Sequence, residues 1–453
     1  MGKSNPMKRG AHYHLATYRA WGVYVRAIEL SNPPELDHYT RLCVRGYPVK
    51  APPCLIRIET DLRYRYRLAA SAIWAIPSAL VIRLIRPLMI IRICGIQSDR
   101  IGHFVSDISE QIGREEIKSP RTFNFYFLKG PISNTQWELM ARRSSLKVLG
   151  NWLRYLDDWS RIIPGGGLHT INSSLTGSRD VEGLFQRFDC SIPFLPSEDA
   201  SCEDWLKSKG WTKGEPFVVI LVRDSAYLNQ NHPNYDWTYH SYRDSDIKTY
   251  IPAIEWLASQ GVWVLRMGKS MANRIQTKSH RIIDYAFESK KSDLLDIWLF
   301  ANSSAIISTA SGLDYLGGIY RKPILFVNAL PLLDIASFFD MTWVSKKLVW
   351  KKSREVLTLS DTIQNTYYSS RDYESNGIEV EDLSTEVITQ SVMEFWQKTN
   401  KIQKDSAEDV EAQKQFWAIF AENPKFSRAH NVVHKDARVG SFWLSTMGQR
   451  YLR

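Results

Sequence analysis

The amino-acid sequence predicts an α/β fold: two Rossmann-like, doubly wound domains facing a cleft, with a basic, apolar segment in front of them. Three observations carry this expectation. Along residues 217–328, short uncharged apolar runs alternate with helical patterns, as in βαβ units whose parallel sheet is buried on both faces. A weaker alternation of the same kind occupies residues 87–149. The length, 453 residues, suits two to three domains of about 100–200 residues each.

Charge places the first segment apart. The chain holds 58 Lys+Arg against 48 Asp+Glu, a net charge of +10. Residues 1–100 contain 16 basic and 6 acidic residues, and the remainder contains 42 of each. A neutral body with a basic front argues against nucleic-acid binding, which calls for a basic stripe across the domain. It points instead to an anionic membrane surface. With 44% apolar and 23% charged residues, wholesale disorder is excluded.

The most apolar stretch, Leu68 to Ile96, has 15 uncharged residues between Arg67 and Arg83, with Pro77 among them. A spanning helix needs about 20. The flanks, Arg63-Tyr64-Arg65-Tyr66-Arg67 and Arg83, Arg86 and Arg92, suit the lipid headgroup layer. Residues 1–86 are therefore expected to form a basic segment with a short membrane-associating helix. A buried core helix with a basic rim is the competing reading. Cys43, Cys54, Cys94, Cys190 and Cys202 are odd in number and contain no C-x-x-C pair, which favours free thiols in a reducing compartment over disulfides or a zinc site. No apolar run of a secretory signal occurs in the first 30 residues. The expected location is cytoplasmic, peripheral on the inner face of the cell membrane.

Residues 87–200 read as an N-terminal Rossmann-like domain: a strand at 87–94, a polar turn, a helix at 104–112, a strand at 122–128, a helix at 136–143 and a strand at 146–149. Pro164-Gly165-Gly166-Gly167 reads as flexible punctuation. Residues 201–399 read as a second such domain, with strands at 217–222, 262–267, 305–308 and 323–328 and helices at 249–260, 292–300 and 311–319. Residues 400–453 form a charged helical tail anchored by Phe416-Trp417 and Phe442-Trp443.

In open α/β sheets, ligands bind beyond the carboxyl ends of the strands. The residues there are Arg223 and Asp224, then Arg266, Gly268 and Lys269, then Thr309, Ser311 and Gly312, then Asn328. Arginines, a lysine and a Ser/Gly turn opening a helix suit a diphosphate, since free N–H groups and guanidinium forks both bind its oxygens. Taken singly, each has an ordinary reading as a solvated strand end or a cap. No G-x-G-x-x-G or G-x-x-x-x-G-K-[ST] pattern is present. Asp244-Ser245-Asp246 is a D-x-D triplet, but helix capping accounts for both acids. The donor-rich stretch before it, which includes Arg243, and the aromatics Tyr227, Tyr235, Trp237, Tyr239 and Tyr242 suggest a substrate-contacting lid. His103 follows the first strand and is a candidate base, with a structural turn histidine as the equal alternative. Asp296 is placed to accept from a ribose or base, or is a solvated helix acid.

These blocks, V-R-D-S-A-Y-L, H-S-Y-R-D-S-D-I-K-T-Y-I-P-A-I, V-L-R-M-G-K and S-D-L-L-D-I-W-L-F-A-N-S-S-A-I-I-S-T-A-S-G-L-D, with R-I-G-H at 100–103, resemble a family of bacterial glycosyltransferases of undefined substrate. The resemblance spans residues 80–330 and is strongest from 217. At longer range it is similar to GT-B fucosyltransferases of the nodulation and α1,6 type. There an H-x-R motif supplies an Arg for the donor diphosphate, matched by Arg223, while the His position is Leu221 here. Their Asp and Ser on the nucleotide, fifteen residues apart, match Asp296 and Ser311.

The resemblance implies a GT-B fold and transfer from a nucleoside-diphosphate sugar to a glycan or lipid-linked acceptor in surface polysaccharide synthesis, with no metal or other cofactor. Arg223, Asp224 and His103 become the catalytic candidates. Arg243, Arg266, Lys269, Asp296, Thr309, Ser311 and Gly312 become the donor-binding ones. A nucleotide-sugar-modifying Rossmann enzyme and a non-catalytic membrane-associated scaffold are the alternatives. The first calls for a glycine fingerprint or a Tyr-x-x-x-Lys pair, and the second would tolerate loss of Arg223.

Overall fold

The computed structural model describes residues 54–173, 177–226, 237–424, 426, 430–448 and 450–452, with backbone alone for 54–61. Most of the basic front, with Cys43, lies outside the described residues, as do Tyr227 and Tyr235. The twelve strands are β1 (Ile90–Gln97), β2 (Thr122–Lys129), β3 (Thr170–Asn172), β4 (Phe217–Leu221), β5 (Trp263–Arg266), β6 (Ile282–Ile283), β7 (Ala305–Ser308), β8 (Ile324–Ala329), β9 (Met341–Ser345), β10 (Lys347–Trp350), β11 (Ile378–Glu381) and β12 (Arg438–Val439). They form a three-stranded sheet in the order β2-β1-β3, a seven-stranded sheet in the order β12-β9-β8-β7-β4-β5-β6, and a β10-β11 pair. Every pairing in the two larger sheets is parallel, and β10-β11 is antiparallel. The predicted α/β class with two doubly wound halves is present.

In the first half, the helix Ile101–Ile117 buries Phe104, Val105, Ile108 and Ile112 against one face of β1. Their spacing of three to four residues is the apolar stripe that a core-facing helix needs. The other face of this sheet carries the helices Cys54–Leu84 and Leu153–Ile162, which share a small core of Ala75, Ala79, Ile82, Ile93, Phe127, Leu153 and Leu156. The helix Cys54–Leu84 runs 31 residues, and its stretch Leu62–Leu84 is long and apolar enough to cross a membrane by length and composition. That exceeds the short helix the charge spacing predicts, because the arginines at 63–67 continue the helix rather than end it.

The expected strand at 146–149 reduces to one bridge between Val148 and Tyr126. Only a few residues separate the preceding helix end at Arg143 from the turn at Asn151, too few for a ladder. The Pro164–Gly167 stretch is ordered rather than loose. Gly166 is buried, and a Cβ there would stand 1.7 Å from the Ser160 carbonyl.

In the second half, β4 is buried at all five positions. It is the first strand of the seven in sequence but lies inside the sheet, so later strands depart from it on both sides. The gap between β4 and β7 is thus a topological switch point, where open α/β sheets hold ligands. The tail docks on this half: β12 extends the sheet beside β9, Trp443 and Phe416 are fully buried, and the helix Ser441–Met447 packs on Thr385–Thr399.

The halves share a continuous core, with Cys94, Ile96 and Phe104 in the same cluster as Val219 and Ile306. Polar bonds cross the seam too. Thr135 gives its backbone N–H and hydroxyl to the Asp293 carboxylate, both at 2.7 Å, and Arg179 pairs with Asp334 at 2.9 Å.

Candidate active site

The turn after β7, Thr309-Ala310-Ser311-Gly312, is where the site assembles. The backbone N–H of Arg223, just past β4, donates to Thr309 Oγ1 at 2.9 Å. Arg243 reaches the same turn from the 238–243 helical turn and donates through Nη2 to the Ala310 carbonyl at 2.7 Å. From the first half, Gly102 lies against Gly312: a Cβ on Gly102 would sit 2.9 Å from the Gly312 Cα. His103 therefore follows a residue that touches this turn. Four consecutive residues bring together the ends of β4 and β7 and the helix start beyond β1.

The electrostatics of this place are cationic. Arg223 Nε meets Asp244 Oδ1 at 3.2 Å. Burial first, and the neighbouring Arg243 second, pull the Arg223 guanidinium below its ordinary pKa. Burial raises the Asp244 carboxyl despite the arginine. Among the described residues, Arg243 has no carboxylate partner, and its Nε is buried without a hydrogen bond. Lys346, just past β9, is buried and adds a third cation. Its Nζ donates to the Asp244 carbonyl and to Asp382, each at 2.6 Å. Beside it opens a shallow recess of about 400 Å³ lined in part by Tyr242, Asp244, Lys346, Ser370, Tyr373 and Asp382.

The remaining sequence candidates divide. Thr309 is buried and holds Arg223 in place. His103 Nδ1 lies 2.6 Å from Ser178 Oγ, and the Ser178 carbonyl accepts from Tyr315 of the second half at 2.6 Å, so the imidazole is tied to the seam.

Asp224 takes the backbone N–H groups of Ala226 and Ala272, both at 2.9 Å. It fastens two loops together, which leaves it poorly placed to act as a base. Arg266 is 0% exposed and is matched by Asp284 at 3.5 Å and Asp224 at 3.9 Å. It neutralises these two half-buried acids and presents no face to a ligand, a departure from the donor-binding role expected of it. Lys269 is exposed, and Asp296 accepts from Tyr285 Oη at 2.9 Å. Burial pushes the Asp296 pKa up to about 6, so it is not the solvated helix acid of the alternative reading. No bond of Lys269 or Asp296 joins them to the 309–312 turn among the described residues.

Ser311 and Gly312 do not open a helix. The helix begins at Asp314 and has six residues, and the Ser311 N–H donates to the Asp314 carboxylate. A buried acid occupies the place where free helix-end donors were expected. Asp246 does cap, accepting from the Lys248 N–H, whereas Asp244 is spent on Arg223. The supposed lid is also partly fixed: Tyr242 is buried with Tyr373, and its backbone N–H donates to Ser370 Oγ at 3.0 Å.

Three residues escaped the sequence reading. Asp314 is buried, accepts from Ser308 Oγ at 2.8 Å, leaves Oδ1 without a partner, and has its pKa pushed up by burial to about 7. Asp107, one turn on from His103, is likewise buried with Oδ1 unpartnered and a pKa raised by burial to about 7. Its signal was an acid on the apolar face of an amphipathic helix. Lys346 would have been collected with the other strand ends had β9 been read. Among the described residues, one group able to hold a metal, Asp340, His434 and Asp436, lies in other elements, with Lys435 Nζ 2.7 Å from Asp436.

No protein-family profile and no curated protein matches the chain. Among solved structures it is similar to a glycosyl transferase family 9 protein from Veillonella parvula, at 10% identity, 57% of this chain, 86% of that one and a TM-score of 0.38. It is also similar to the E. coli ADP-heptose LPS heptosyltransferase II, at 10% identity, 53% of this chain, 86% of that one and a TM-score of 0.33. The E. coli heptosyltransferase WaaC with ADP gives 11%, 56%, 91% and 0.29. Likeness at this level carries no inference about chemistry, which rests on the residues themselves.

Proposed function

We propose that this chain is a glycosyltransferase that moves a sugar from a nucleoside-diphosphate donor to a glycan or lipid-linked acceptor in bacterial surface polysaccharide synthesis. The observation that carries the reading is the convergence of Arg223 and Arg243 on the 309–312 turn, at the switch point of a parallel sheet. Burial and the neighbouring Arg243 hold the Arg223 guanidinium below its ordinary pKa, and the two arginines, with Asp244 as counter-charge, form a site that an added dianion relieves. A leaving diphosphate has that charge, and fixed guanidiniums stabilise it as it develops, without a metal. His103 across the seam is the candidate to take the acceptor proton, with Ser178 fixing its ring. Asp296 with Tyr285 is the nearest match to a nucleoside contact that the family resemblance implies.

Binding of GDP, UDP, ADP and dTDP sugars to the full chain, measured by calorimetry with EDTA present, tests this. One donor should bind. Arg223→Ala and Arg243→Ala should each weaken it by roughly ten- to a hundredfold, the range of a charged hydrogen bond, with melting temperature preserved. If no donor binds, or if both variants bind as the parent does, the reading fails and a non-catalytic scaffold gains ground.

A further inference from the structure

The stretch Leu62–Leu84 has two faces, and among the described residues only one of them has a partner. Ser71, Ala75, Ala79 and Ile82 are buried against Leu153–Ile162. On the opposite side Leu62, Tyr66, Ile73, Leu80 and Leu84 are 59%, 77%, 85%, 52% and 78% exposed. With Ala69 and Pro77, also exposed, they recur every three to four residues. At 3.6 residues per turn that spacing makes one continuous stripe, about 33 Å long at about 1.5 Å per residue. Leu88, 73% exposed, extends it past the helix end. Lone exposed apolar residues need no explanation, but an ordered row of this length does.

The stripe is flanked by cations. Helical geometry places Arg63 and Arg67 on one side of it and Arg65 and Arg83 on the other. Across residues 62–88, which carry the stripe, and the adjoining segment 151–163, there are seven arginines and two acids, Asp157 and Asp158. Both acids are engaged by the body itself: Asp157 with Arg161 at 3.0 Å, and Asp158 with Tyr64 and Arg154. An apolar ridge between rows of arginine fits the boundary of an anionic bilayer, where the stems lie along the acyl region and the heads meet phosphate.

Length and composition alone would also allow this helix to cross the bilayer. Its attachments decide otherwise. Tyr64 bonds Asp158 near one end. In the middle, Trp159 Nε1 donates to Leu68 O and Ser71 Oγ, each at 3.1 Å, and Trp74 packs edge-on against Trp152. At the other end, Arg83 donates to Ser160 O and Ile163 O at 3.0 Å and to Pro164 O at 3.1 Å. These fastenings cover positions 64–83, about 28 Å of helix at about 1.5 Å per residue. A spanning helix would carry Arg154, Asp157, Asp158 and Arg161 into hydrocarbon with it, at several kcal/mol each.

We infer that the Leu62–Leu88 stripe lies in the plane of an anionic membrane surface and docks the protein there as a monotopic face. The inference stands on the stripe, the arginines and the fastenings, and is independent of what the site at 309–312 does.

Flotation of the full chain with vesicles of phosphatidylcholine, with and without 30% phosphatidylglycerol (about a third of the lipid), tests it. The protein should float with the anionic vesicles, less so in high salt, and alkaline carbonate should strip it off. Ile73→Glu with Leu80→Glu, at two outward positions, should lower the floated fraction at least tenfold with the melting temperature kept. Arg63, Arg65 and Arg67 changed together to Gln should remove the preference for anionic lipid. Failure of the parent to float, or equal flotation of the Glu pair, overturns the inference. Retention after carbonate would mean a spanning helix and overturns it as well. A concentration-dependent dimer that the Glu pair dissolves, with vesicles ignored, would assign the stripe to a second copy instead.

Discussion

Burial holds the Asp314 carboxyl at a pKa of about 7, up from the ordinary 3.8. Between those two values the folded chain keeps a proton that the unfolded chain has lost. Stability is therefore greatest below about pH 4 for this group and falls as pH rises through 7, by at most about 1.4 kcal/mol per unit. Asp314→Asn reproduces the shape of the neutral acid: its amide oxygen can accept from Ser308 and Ser311, and its nitrogen replaces the unpartnered Oδ1. The variant should match the parent at pH 4.5 and melt higher at pH 8, as thermal scans across that range would show. Asp107 and Asp296 shift in the same direction, so the pH slope of the variant should be smaller than the parent's without vanishing.

At the scale of elements, the contact between the start of Ile101–Ile117 and the turn after β7 is made by two glycines back to back. Backbone faces backbone there, so a methyl group has no flexible neighbour to displace. Gly102→Ala should push the two elements apart and destabilise the fold by about 1–3 kcal/mol, as overpacking does. It should also weaken donor binding, because Thr309 and Ala310 position both arginines. Denaturant unfolding and the calorimetry described above would show the two effects together.

Elements of this kind differ in how far the chain announces them. β4 and β7 are uncharged apolar runs, and they are strands. The turns after them, residues 223–224 and 309–312, meet in the fold. The arginine pairing was out of reach, because Asp244 and Arg223 lie 21 residues apart and meet only through the fold. Arg266 looked equivalent to Arg223, since both follow apolar runs. What separates them is the pair of acids, Asp284 and Asp224, that closes over Arg266. β6 and β12 have two residues each, too short to leave a pattern.

For the whole molecule, the shared core and the bonds across the seam make the halves one cooperative body. Besides Thr135–Asp293 and Arg179–Asp334, Trp298 Nε1 donates to Asp199 at 2.8 Å and Arg321 to the Phe188 carbonyl at 3.1 Å. A single calorimetric transition is expected for residues 54–453, with calorimetric and van't Hoff enthalpies in agreement. Two resolved transitions would show that the seam is weaker than its bonds suggest. The long helix should be the first part to leave under denaturant, since its core of seven buried residues is separate from the main one.

β1 also acts as a ruler. It starts at Ile90, two residues beyond the end of the exposed stripe at Leu88, and it ends at Gln97, five residues before Gly102 meets Gly312. Eight residues of parallel strand measure about 26 Å at about 3.3 Å each. A molecule anchored in a surface along the stripe must therefore extend by roughly the length of that strand to reach the arginines. Under the proposed function and the proposed docking, a lipid-linked acceptor would be selected by reach before chemistry, and a short headgroup would fail the first test.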